Sequence, residues 1–235
     1  MTTTFHVKTR LALAAALGWS GLARAAEQPS AREILANVRT AQTAQEQTIR
    51  GRLRTGGKSI PFRLVAHGGT LRWEFTDPAQ TIQLRLLEKD SRLEEITGGS
   101  AKKITAARFD DKVRESDITY EDLAMKFLYW PSANVEGEQT MILRKCWIIR
   151  VEPAAKSDSQ YSKAMLWIDQ QTGSLMQAEA YGHDGKLARR FKVISPQKID
   201  GVWLLKQMRI EAMEPTRSGR EDRAPTYLEV DGVEK

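Results

Sequence analysis

The chain has one cysteine, Cys146, and three histidines among 235 residues. A single cysteine excludes an intramolecular disulfide and any cysteine-built metal site. Cys146 sits in "ILRKCWIIR", beside Trp147 and an apolar run, and reads as a buried small hydrophobe. With no covalent staple the fold must rest on an apolar core, and a chain of this length can bury one as a single domain. Two histidines, His67 and His183, lie next to glycines and read as surface turn residues. No H-E-x-x-H or Cys/His cluster offers a metal site, and no G-x-S-x-G offers a nucleophile elbow. The "TGGK" stretch (55–58) lacks the spacing of a phosphate loop and reads as a hairpin turn. No nucleophile–base pair, cofactor or metal is therefore expected, and the chain is not read as an enzyme. Long apolar runs are missing too: none approaches the ~20 residues that cross a bilayer.

What is present begins at the N-terminus. Lys8 and Arg10 precede "LALAAALGW" (11–19), and "ARA" (23–25) puts small residues where signal peptidase reads. Residues 1–25 are predicted to be a cleaved secretory signal, with a single domain over 26–235 in the periplasm. The formal charge is +6; without 1–25 there remain 33 basic against 30 acidic side chains, +3. The basic residues are scattered and no nucleic-acid motif appears, so nucleic acid is not an expected partner. Nor is stable membrane insertion.

Ser30 opens "SAREILANVRTAQ", with Glu33 at the capping-box position and Ile34, Leu35 and Val38 on one face, which predicts a helix. From Gln45 the period becomes two. "TIRGRLRT", "IPFRLVAH", "TLRWEFTD", "TIQLRLLEK" and "RLEEIT" are separated by "GGK", "HGG", "DPA" and "KDS", the spacing of antiparallel hairpins. Leu71, Trp73 and Phe75 oppose Arg72 and Glu74; Ile82, Leu84 and Leu86 oppose Gln83 and Arg85. Strands resume at "TMILRKCWIIRVEP" (140–153) and run through turns at 169–173, 182–185 and 199–201, then a polar loop at 214–222, to "TYLEV". The pattern predicts roughly ten strands. A sheet of that width curls or closes. The expected fold is mainly β: a curled antiparallel sheet covered by the N-terminal helix and one inserted helix.

The inserted helix is expected within 115–131. Asp117 or Thr119 caps it, Asp122 completes an approximate capping box, and Glu121 and Asp122 meet the helix dipole. Tyr120, Leu123, Phe127 and Leu128 form an apolar stripe, and Pro131 ends the helix with Trp130 extended. This helix is expected to be a lid or plug on the apolar face.

"SDITYEDL" (116–123) resembles the helix motif of a branch of the LolA-like outer-membrane lipoprotein-sorting family. "LWIDQQTG", "YGHDGKLARRFKV" and "KIDGVWLLKQMRI" resemble that family's later hairpins, and the resemblance spans roughly residues 30–232. It implies an unclosed β-barrel around an apolar cavity, lidded by helices, that carries acylated lipoproteins or lipids for outer-membrane sorting. The partners implied are an inner-membrane transporter and an outer-membrane receptor. The alternative is a sensor of lipids or lipoproteins, or an accessory subunit of a hydrophobe exporter, on the same fold. Under this reading the cavity candidates are Phe62, Leu64, Trp73, Phe75, Leu84, Leu86, Trp147, Ile149, Met165, Trp167, Met176 and Met208, with Tyr120, Leu123 and Phe127 as the lid. Aromatic and Met side chains that repack suit a cavity that must also release its cargo.

Overall fold

A computed structural model describes residues 28–199, 202–213 and 224–234. The expected signal segment, Asp200-Gly201 and the 214–222 loop lie outside the described residues. The chain starts with helix α1 (Ala31–Thr43), whose capping box is present: Ser30 and Glu33 satisfy each other's backbone N–H groups. Six strands follow: β1 (Gln47–Thr55), β2 (Lys58–His67), β3 (Thr70–Thr76), β4 (Ala79–Leu86), β5 (Ser91–Thr97) and β6 (Ser100–Lys103). A one-turn helix α2 (Tyr120–Ala124) interrupts them. Seven more strands complete the sheet: β7 (Ser132–Met141), β8 (Arg144–Glu152), β9 (Tyr161–Asp169), β10 (Leu175–Gly182), β11 (Leu187–Ile199), β12 (Val202–Ala212) and β13 (Thr226–Glu234).

All thirteen strands form one antiparallel sheet in the order β6-β5-β4-β3-β2-β1-β13-β12-β11-β10-β9-β8-β7. The first and last strands, β1 and β13, pair with each other, so the sheet opens between β6 and β7 instead. This is the expected curled, unclosed sheet. The segment that crosses the opening, residues 104–131, carries α2.

Two of the thirteen strands, against roughly ten expected, have no counterpart in the sequence pattern. Strand β6 has four exposed residues and no apolar alternation to read. Strand β7 is polar, and its junction with β8 hides inside "TMILRKCW". That stretch reads as one strand but folds as a hairpin turning at Ile142-Leu143. Neither turn residue is Gly, Asn, Asp or Pro, so no turn signal marked it.

The first half of the sheet behaves as its alternation dictates. Register pairs Leu64 with Trp73, Leu71 with Leu84 and Leu84 with Leu93 on one face, and these residues form a continuous core with Phe62, Phe75, Ile82 and Leu86. The other face carries Arg52, Arg54 and Arg63 against Asp231, Glu229, Glu74 and Glu234. Each such exposed pair contributes at most ~1 kcal/mol. Gln83, expected on the wet side, is buried because Arg72 and Glu94 hydrogen-bond its amide from the flanking strands.

Helix α1 lies against the second half. Ala31, Ile34, Leu35 and Val38 pack on Ile149, Val151, Ala164, Leu166 and Ile168. Its first turn meets the β9–β10 turn, and at its last turn Thr43 sits over Gly69 of the β2–β3 turn. Thirteen residues reach roughly 20 Å, so the helix bridges the two halves at one end of the sheet.

Candidate functional site

The fifteen residues singled out from the sequence fall into three apolar clusters. Phe62, Leu64, Trp73, Phe75, Leu84, Leu86, Tyr120 and Leu123 belong to the core of the first half. Ile149, Trp147 and Phe127 pack beneath α1. Trp167, Met176 and Met165 join Met141, Cys146 and Val193 in a third cluster, and Met208 touches both the first and the third.

One shared inner face was expected, and the register corrects this for Met165 and Trp167. Ile149 pairs with Leu166 and Ile148 with Trp167, so adjacent residues of β9 face opposite sides of the sheet. The run "AMLWI" (164–168) is apolar on both faces, and alternation cannot choose between them. A β-bulge between Leu175 and Gln177 shifts the register again at Met176.

The expected amphipathic stripe is also corrected. Thr119 caps α2 and forms a capping box with Asp122, as the sequence indicates. The helix nevertheless stops at Met125, which adopts a left-handed conformation (φ 49°), and a 3₁₀ turn covers Lys126–Tyr129. Tyr120 and Leu123 therefore enter the first cluster while Phe127 and Leu128 enter the second. Trp130 is extended before Pro131, as expected.

The whole "SDITYEDL" motif except Leu123 is buried, including its four polar and two acidic-pair positions. Each polar group has a use. Ser116 Oγ donates to the Val113 carbonyl and accepts from the Ile118 N–H. The Asp117 N–H donates to Thr226 Oγ1 on β13. Tyr120 OH accepts from Gln80 on β4 at 3.0 Å. Glu121 accepts from Ser159 Oγ and from the Gln160 N–H ahead of β9. Asp122 accepts from the Thr119 N–H (2.8 Å) and from Tyr161 OH (2.7 Å), and lies 3.8 Å from Arg189 of β11. Ser91 of β5 donates to the Ala124 carbonyl. Strands from both sides of the opening thus grip one turn of helix. Burial pushes both carboxyls up from their ordinary range; Arg189 and the hydrogen bonds only partly offset this at Asp122. The adjacent acids are latch residues held in different directions, not a shared-proton pair. Sequence reasoning missed Arg189, Tyr161 and Ser159, which no motif connects to residue 122.

Beside α1 lies a groove of ≈ 250 Å³ lined by Pro29, Ile34, Asn37, Trp147, Ile168 and the turn from Asp169 to Gly173. Asp169 shapes its rim. Its carboxylate accepts from the N–H groups of Gln171 and Thr172 (both 2.8 Å) and is bridged by Arg144. Although burial opposes it, the Arg144 guanidinium and these N–H groups hold the Asp169 carboxyl below its usual range. The Cys146 thiol is pushed up to about 11 by burial, so it stays protonated and unreactive. Among the described residues no group of three or more His, Cys, Asp or Glu side chains could hold a metal ion.

A family model described as "-like: Uncharacterized protein" matches residues 98–222, more than half of the chain. No curated protein matches. Among solved structures, a putative outer membrane lipoprotein-sorting protein domain from Vibrio parahaemolyticus is 15% identical, with a TM-score of 0.65 over 87% of this chain and 91% of that one. A LolA superfamily protein from Nitrosomonas europaea is 13% identical, with a TM-score of 0.59 over 88% and 93%. A DUF1329 family protein from Desulfovibrio piger is 18% identical, with a TM-score of 0.60 over 86% and 90%. The chain belongs to the family of that model, and its fold is the LolA-like fold of the outer-membrane lipoprotein-sorting proteins.

Proposed function

We propose that this protein is an exported carrier that holds acyl chains of lipoproteins or lipids against its apolar interior for sorting to the outer membrane. The observation that supports it is the seat of α1. The helix covers the apolar face of β8–β10 with four side chains and is tied to the 128–131 segment by two side-chain hydrogen bonds, Arg32 of its first turn to the Pro131 carbonyl and Arg39 to the Leu128 carbonyl. Beneath it the sheet offers Trp147, Ile149, Leu166 and Ile168.

The ≈ 250 Å³ groove at the helix N-terminus is smaller than the roughly 300–1,000 Å³ of sites that enclose a drug-sized ligand. A chain therefore enters by lifting α1, which exchanges the helix's apolar contacts for its own at about 0.8 kcal/mol per buried CH₂. In this reading α1 is the moving cover and α2, gripped from four strands or strand ends, is the fixed plug. The Vibrio lipoprotein-sorting domain and the Nitrosomonas LolA superfamily protein, which share the fold, support the reading.

Native mass spectrometry with lipid extraction tests it on protein purified gently from the exported fraction. A co-purifying lipid or acylated peptide near one per chain is expected. Trp147→Ala should weaken binding of a fluorescent fatty acid roughly tenfold, the loss of a large buried aromatic contact. An empty protein that also refuses added acyl chains would refute the reading and leave the inner face as core.

A further inference from the structure

Among the described residues four large apolar side chains are exposed: Leu87, Ile142, Leu143 and Ile194. Three of them occupy turns at one end of the sheet. Strands alternate in direction through the meander, so the β4–β5 and β7–β8 turns share an end with the β2–β3 and β9–β10 turns that α1 bridges.

The β7–β8 turn is unusual twice over. Ile142 and Leu143 both adopt left-handed backbone, φ 48° and 60°. A two-residue hairpin of this kind normally carries Asn-Gly, because a β-branched residue is an outlier there. The strained turn then presents its side chains to solvent: Leu143 is 96% exposed and Ile142 42%. Neither feature helps the free protein fold. Costly backbone with greasy side chains at a loop tip points to a use in contact with something else.

The base of this hairpin is fastened beside the groove. The Lys145 carbonyl accepts from the Gln170 N–H (2.9 Å), and Arg144 bridges Asp169, so the hairpin is fixed to the turn that walls the groove. Across the helix, Leu87 (48% exposed) follows Leu86, whose N–H donates to the Gly69 carbonyl beneath Thr43. Exposed apolar tips thus flank both ends of α1.

We infer that this end of the molecule docks on a lipid bilayer, with Ile142 and Leu143 inserted into the headgroup–acyl boundary and Leu87 as a second contact. A two-residue point offers far less than the ~800 Å² per partner of a stable protein interface. It is well shaped for shallow, reversible insertion, and exposed Lys145 next to it favours anionic headgroups. No described helix is long and apolar enough to cross a membrane. The inference goes beyond the carrier reading and does not depend on a cargo.

The test uses the full chain and vesicles of phosphatidylethanolamine with phosphatidylglycerol, in a flotation assay. Wild type should float, and the double variant Ile142→Asn/Leu143→Gly should partition at least roughly tenfold less. The same variant should keep or raise the thermal midpoint, since Asn-Gly suits the turn, so lost flotation cannot be blamed on misfolding. A Leu143→Cys protein labelled with an environment-sensitive dye should brighten on vesicles; native Cys146 is buried and will not react. Absence of flotation by wild type, or equal flotation of both proteins, overturns the inference. So does a protein partner that is lost in the variant while vesicles are ignored. Fatty-acid binding measured without vesicles should be unchanged in the variant, so failure of the carrier reading and failure of this one are separately visible.

Discussion

Asp122 is the residue whose removal should damage the fold most. Its side chain is 2% exposed, and that of its partner Arg189 is 14% exposed. In Asp122→Ala, Arg189 keeps its charge in a nearly dry site, while Tyr161 OH and the Thr119 N–H lose their acceptor. Removing one member of a buried pair costs about 3–5 kcal/mol, out of a total stability of about 5–15. For a chain of this size that corresponds to a thermal midpoint lower by about 10 °C. Urea unfolding of the purified variant measures it. Asp122→Asn, which keeps the shape and one acceptor oxygen, should lose less.

The two variants also separate charge from shape through pH. Burial holds the folded Asp122 carboxyl above its unfolded value, so between the two the folded state binds more protons than the unfolded one. Its contribution is then most favourable below about pH 4, the unfolded range, and declines as pH rises through the folded pKa. Asp122→Asn removes that dependence, so the wild-type-minus-variant difference should drift against wild type as pH rises from about 4. A loss under about 1 kcal/mol for Asp122→Ala, with unchanged urea slope, would show that Arg189 is solvated and that the latch argument is wrong.

Two further substitutions probe the frame. Gly51→Ala would place a Cβ 2.3 Å from the Glu229 carbonyl oxygen and 2.6 Å from the Phe62 ring, where β1, β2 and β13 meet; a loss of about 1–3 kcal/mol is expected in urea unfolding, against little change for Gly232→Ala, whose Cβ meets nothing. Asp169→Ala removes the acceptor that closes the groove-rim turn. Because Asp169 is held below its usual range, the stability it adds is present at neutral pH and lost as pH falls through its folded pKa, below about 4. Thermal melts of the variant should therefore lie below wild type at neutral pH and converge on it in acid.

The sequence by itself determined the elements whose cause is local. Ser30 with Glu33 and Thr119 with Asp122 place two helix starts, because a capping box is satisfied within four residues. The Gly-Gly turns and the one-sided strands from β1 to β5 follow from backbone freedom at glycine and a period of two. The tertiary structure decided what depends on partners far along the chain. It chose the faces of β9, apolar on both sides. It broke the stripe at Met125 and divided its halves between two cores, and it buried Glu121 and Asp122 by bringing residues 159–161 and Arg189 around them. It also bent Ile142-Leu143 into a turn that their own preferences oppose. The ladder between β7 and β8 holds that turn, since many distant hydrogen bonds outweigh the strain of two residues.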